Sequence, residues 1–98
     1  MKITQNKEGS KLNIALEGRL DTTTAPELEN ELKTALDGVD DLVFDLKELA
    51  YISSAGLRVL LSAQKIMNKQ GKMVITGANE EIMEIFDVTG FVDILTIE

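Results

Sequence analysis

Ninety-eight residues, 44% hydrophobic and 28% charged, are enough for one modest core within a single globular unit. Seventeen acidic against ten basic residues leave a net charge of −7, which disfavours nonspecific binding to nucleic acid or to anionic lipid. Histidine and cysteine are absent, so a Ser-His-Asp site, a histidine base near pH 7 and the common zinc and iron–sulfur ligand sets are excluded.

The chain opens on Met1-Lys2-Ile3-Thr4-Gln5-Asn6-Lys7, which carries charge but no apolar stretch of the kind a secretory signal needs. No apolar run anywhere approaches the ~18 residues that span a bilayer, so the expected location is the cytoplasm. Ile3 to Asn6 suits a short first strand. Gly9-Ser10 turns the chain into a second strand from Lys11 to Gly18, where Leu12, Ile14 and Leu16 alternate with Asn13, Ala15 and Glu17. Thr24-Ala25-Pro26-Glu27 has the pattern of a capping box and predicts a helix from about Thr24 to Leu36.

Leu42 to Leu46 is a nearly continuous apolar run, as expected of a central strand covered on both faces. A helix from about Ala55 to Lys69 carries Leu57, Leu60, Leu61, Ala63 and Met67 on one stripe, widened by Val59 and Ile66. Lys72 to Thr76 predicts another strand. Asn79 begins a short helix with Ile82, Met83, Ile85 and Phe86 inward, closed by Gly90, and Val92 to Ile97 reads as a last strand. The order β-β-α-β-α-β-α-β, in residues 1–98 as one domain, argues for an α/β sandwich with some parallel pairing.

In such a sheet, sites favour the loops at the carboxyl ends of strands. Two loops carry the polar interest: Arg19 to Thr24, and Ala50 to Gly56. In the second, a serine oxygen of Ser53-Ser54 can accept an N–H from the first helical turn, and Gly56 suits a close approach of helix to sheet. A helix start also tolerates negative charge, so a hydroxyl there can serve as a phosphorylation switch. Asp21-Thr22-Thr23-Thr24 reads as a turn with a helix cap, Asp45 as a carboxylate bonding loop N–H groups, and Arg58 as a solvated surface cation.

Asp45-Leu46, then Tyr51-Ile52-Ser53-Ser54-Ala55-Gly56-Leu57, resembles the signature of STAS-domain anti-sigma factor antagonists. Gly18-Arg19-Leu20-Asp21 and the late Ile85-Phe86-x-x-Thr89-Gly90-Phe91 resemble two further segments of that family, in the same order. The resemblance implies a mixed sheet of about five strands with helices packed on it. It also implies a regulator that binds an anti-sigma factor serine/threonine kinase and so frees a sigma factor. Phosphorylation of Ser54 then releases the kinase, and a serine phosphatase resets the switch. The missing histidine and cysteine already argue against an enzyme, and no cofactor or metal is expected, with carboxylate-bound Mg²⁺ or Ca²⁺ the remaining alternative.

The partner surface is expected at Asp21, Thr22, Thr23, Ser53, Ser54, Ala55, Gly56 and Arg58, with Asp45 supporting the Ser54 loop. Two departures stand out: Ser53 occupies a position where the family usually has Asp, and Ala55 one where it often has Ser or Thr. Ser53 is therefore a competing hydroxyl. Two rival readings are a constitutive scaffold or transporter-associated STAS subunit, and a nucleotide-binding or hydrolytic domain using Asp21, Asp45 and Ser54. The second lacks both a phosphate-binding Gly-x-x-x-x-Gly-Lys loop and a histidine base.

Overall fold

The computed structural model covers Met1–Glu98. The elements run β1 (Lys2–Glu8), β2 (Lys11–Leu20), α1 (Ala25–Ala35), β3 (Asp41–Ile52), α2 (Ser54–Gln70), β4 (Lys72–Thr76) and α3 (Glu80–Val88). The strands lie side by side in chain order, β1 antiparallel to β2, and β2, β3 and β4 mutually parallel. This is the mixed α/β sheet that the strand–helix alternation predicts. Gly9, at φ +61°, makes the tight turn that joins β1 to β2.

Alternation decides which face is buried. Leu12, Ile14 and Leu16 of β2 and Leu42, Phe44 and Leu46 of β3 are buried, while Asn13 and Glu17 are exposed and Val43 and Asp45 only half-buried. The inward residues of all three helices join that one face in a single core. The expectation that Leu42 to Leu46 is covered on both faces is thus corrected. The run is apolar because Val43 sits half-buried on the open face, not because a second helical layer lies over it.

On α2 the buried stripe is Leu57, Val59, Leu60, Ala63 and Met67. It is narrower than predicted: Leu61 is half-buried, and Ile66 is 43% exposed. Ile66 lies toward α1, where it lines a shallow hollow with Leu32, Leu36 and Gln70. The Gln70 side chain donates to the carbonyls of Leu36 (2.7 Å) and Val39 (2.6 Å), closing the carboxyl end of α1.

The segment predicted as a fifth strand, Val92 to Ile97, is a 3₁₀ turn over Phe91–Asp93 followed by one bridge, Ile75 with Ile97. Gly90, left-handed at φ +80°, starts the turn, and the Leu95 N–H donates to the Phe91 carbonyl at 2.8 Å. Phe91 and Leu95 are four apart, so one helical turn brings both to the core and leaves Ile94 outward. The apolar residues satisfy a helical period as well as a strand period, and the core selects the former.

Candidate functional site

The site is built where β2 and β3 end together. The pairing offset between these strands is 30 residues at Ala15 with Asp45, 31 at Glu17 with Glu48, and 32 at Arg19 with Tyr51. β3 therefore holds two more residues than β2 over this stretch, accommodated as bulges. The shift sets Leu20 opposite Ile52, and the Ser53 N–H donates to the Leu20 carbonyl at 2.9 Å. Ala50 to Ile52 is thus strand, where the sequence suggested loop, and the two connections shrink to Asp21–Thr24 and Ser53.

The Asp21 turn is organised by its carboxylate. Asp21 Oδ1 accepts from the Thr23 N–H (3.0 Å), the Thr23 hydroxyl (2.7 Å) and the Thr24 N–H (3.2 Å). The Thr24 hydroxyl accepts from the Asp21 N–H and donates to the Arg19 carbonyl, each at 2.8 Å. The predicted Thr24–Glu27 capping box is therefore not formed. Thr24 already has helical backbone angles, φ −102° and ψ −23°, so its hydroxyl turns back into the preceding turn and Asp21 takes over the capping role. The Thr23 hydroxyl first, then the Thr23 and Thr24 amides, hold the Asp21 carboxyl below the ordinary aspartate value of 3.8, against an opposing desolvation.

The two serines divide at the start of α2. Ser53 is the cap, with extended backbone (φ −99°, ψ 176°) and its oxygen accepting from the Gly56 N–H over a long 3.4 Å. Ser54 is the first residue of the helix, exposed, and its hydroxyl is engaged by no other group of the chain. Gly56 follows under tight constraint: a β-carbon there would lie 2.7 Å from Leu20 Cγ and 2.8 Å from Ile52 Cγ1, both in fully buried side chains. The close helix–sheet approach expected of Gly56 is present.

Thr22, Ala55 and Arg58 line one hollow of about 180 Å³ between the starts of α1 and α2, together with Pro26, Glu29 and Ser62. The structure thus brings Asp21, Thr22, Thr23, Ser53, Ser54, Ala55, Gly56 and Arg58 into one region. Asp45 is not in it. Its carboxylate accepts from the Lys47 N–H at 3.0 Å and lies on the open sheet face with Thr4, Ala15 and Glu48. Ile52 is seven strand residues further on, roughly 20 Å. Asp45 steadies its own bulge and does not support the Ser54 loop.

One feature of the region has no signal in the sequence. The Arg19 guanidinium stacks over the Tyr51 ring at 4.4 Å from its centroid, and its Nε lies 3.8 Å from Asp21 Oδ2. An unbulged register would have set Arg19 against Leu49, so the pair is a product of the two bulges.

The chain is thus a small α/β domain with an exposed hydroxyl at the start of α2 beside an aspartate turn. The STAS domain family matches residues 2–98. BtrV of Bordetella bronchiseptica, which bears the name of an anti-sigma factor antagonist, is 38% identical over 99% of this chain and 85% of its own length. The anti-sigma-B factor antagonist of Bacillus subtilis is 33% identical over 97% of this chain and 86% of its own. Among solved structures, the antagonist SpoIIAA of Bacillus superposes with a TM-score of 0.78 in its unphosphorylated form, at 14% identity over 99% of this chain and 87% of that one. Its phosphorylated form gives 0.77, at 15% identity over 99% and 91%. The chain belongs to the STAS-domain family of anti-sigma factor antagonists. No helix is long and apolar enough to cross a membrane.

Proposed function

We propose that this protein, acting as one STAS domain in the cytoplasm, binds an anti-sigma factor serine kinase while Ser54 is unphosphorylated and so frees a sigma factor. Phosphorylation of Ser54 releases the kinase, and a serine phosphatase restores the binding form. In this reading the protein acts by binding alone and contributes no catalytic residue, cofactor or metal. The observation that carries it is the division between the serines: Ser53 is spent on the cap, and Ser54 is exposed and uncommitted next to the Asp21 turn.

The physical basis of release is charge. A phosphoserine adds about −1.5 to −2 charges at pH 7. Placed on the first residue of α2 it meets the favourable end of the helix dipole, so the domain keeps its fold. SpoIIAA matches this fold nearly as well in its phosphorylated form (0.77) as in its unphosphorylated form (0.78), which supports that part of the reading. In an interface formed around a hydroxyl, the same dianion must be desolvated, on a chain whose net charge is already −7. Each ~1.4 kcal/mol so lost weakens the complex tenfold, and a few kcal/mol make a switch.

The test is a pull-down from the source cell with Ser54→Ala and Ser54→Asp baits, followed by mass spectrometry and titration of the purified partner. A small anti-sigma factor kinase held by the alanine form and lost from the aspartate form supports the proposal. Equal recovery of one larger assembly by both forms rejects it in favour of a constitutive scaffold.

A further inference from the structure

We propose that the partner surface does not stop at Ser54 and Asp21 but continues across the Arg19–Tyr51 stack onto α3. There a cationic segment of the anti-sigma factor seats an apolar side chain in the hollow between Tyr51 and the helix. This rests on the anti-sigma factor reading given above and adds a second contact region to it.

Three observations carry the inference. The hollow holds about 300 Å³ and is lined by Tyr51, Ile85 and Val88, with Glu81 and Glu84 at its sides. Val88 is 76% exposed, the most exposed of the large hydrophobic side chains, against 47% for Ile94 and 43% for Ile66. An apolar floor between carboxylates is suited to a segment with an apolar anchor and basic neighbours.

The second observation is charge. α3 carries Glu80, Glu81, Glu84 and Asp87 and no lysine or arginine. The one ion pair of the molecule is Arg19 with Asp21, so the α3 carboxylates are free to meet an incoming cation. A second copy of this chain, at net charge −7, meets that rim with like charge, and an anionic membrane does the same.

The third is continuity. Tyr51 is held under Arg19, and Arg19 reaches Asp21, so the hollow and the Asp21 turn are joined by one stacked and paired arrangement. Register supplies it: Arg19 and Tyr51 are direct partners on β2 and β3. A partner docked on the Asp21 turn and Ser54 can reach α3 without crossing open solvent.

The experiment is calorimetric titration of the full chain with the purified anti-sigma factor retained by the Ser54→Ala bait, at several salt concentrations. Val88→Glu is expected to weaken binding about tenfold or more. Glu81→Lys combined with Glu84→Lys is expected to weaken it about fivefold or more and to flatten its salt dependence. Glu8→Lys, at the far hairpin, should leave affinity within about twofold. Methyl signals of Ile85 and Val88 in the wild-type protein should shift on complex formation, a readout independent of any variant.

Affinity unchanged in both α3 variants, with Ser54→Asp still abolishing binding, overturns the extension and leaves the function reading standing. Sedimentation showing a wild-type dimer that Val88→Glu dissociates also overturns it, the occupant then being a second copy. Failure of the wild-type chain to bind any anti-sigma factor overturns the function reading and this inference together.

Discussion

Gly56 and Leu20 meet so closely that no side chain fits between them: a β-carbon on residue 56 would lie 2.7 Å from Leu20 Cγ. Leu20 is fully buried at the end of β2 and Gly56 lies in the first turn of α2. This contact presses the start of α2 onto the sheet and sets the height at which Ser54 stands beside the Asp21 turn.

Gly56→Ala is expected to cost about 1–3 kcal/mol, because Leu20 and Ile52 have no free volume into which to move. For a chain of this size that lowers the melting temperature by roughly 5–20 °C. Ser62→Ala, on the exposed side of the same helix, should change it little. Thermal melts of the two variants check the difference, and an unaltered melting temperature for Gly56→Ala would contradict the packing described.

The two adjacent serines should separate by assay. Ser53→Ala removes the helix cap and is expected to cost about 0.5–1 kcal/mol, at the low end because the bond is long. Ser54→Ala breaks no hydrogen bond and should stay within about 0.5 kcal/mol of wild type. With the partner kinase and ATP, intact-mass spectrometry should find one phosphate on wild type and on Ser53→Ala, and none on Ser54→Ala. Phosphate persisting on Ser54→Ala would move the switch to another hydroxyl.

Asp21 makes stability depend on acid. Its ionised form accepts hydrogen bonds in the folded chain that the unfolded chain lacks, so the folded value lies below the ordinary 3.8. The stabilisation is complete above the ordinary aspartate range and is lost as pH falls through the lowered folded value. Urea midpoints measured across this acid range should therefore fall more steeply for wild type than for Asp21→Asn, which cannot titrate. Parallel profiles would show that the carboxylate contributes nothing specific.

Asp45→Asn should leave partner affinity within about twofold, since the carboxylate lies roughly 20 Å of strand from the site. A modest stability loss, of about 1 kcal/mol or less, is expected from the weakened bond to the Lys47 N–H. Titration and denaturation of the one variant read both. A large affinity loss without a stability loss would return Asp45 to the site.

Much of this was legible in the residues. The period-two alternation of Leu12, Ile14 and Leu16, the helical stripe from Leu57 to Met67 and the turn at Gly9-Ser10 each follow from local geometry that neighbours reinforce. The Ser54 and Asp21 segments stood out because polar residues gather where strands end and helices begin. The last segment failed for an equally local reason. Phe91, Val92, Ile94 and Leu95 fit a strand or a single helical turn, and nothing in four residues chooses between them.

The sequence by itself determined the first seven elements and their order, the need for a small residue at 56 and the absence of histidine and cysteine chemistry. The tertiary structure alone decided the register of β3 on β2. Two bulges set Tyr51 opposite Arg19 and Ile52 opposite Leu20, and with them bring Ser53 level with the Asp21 turn. Bulges arise where buried faces must stay aligned over unequal strand lengths. That is a property of two strands packed against the same helices, and neither strand's residues state it alone.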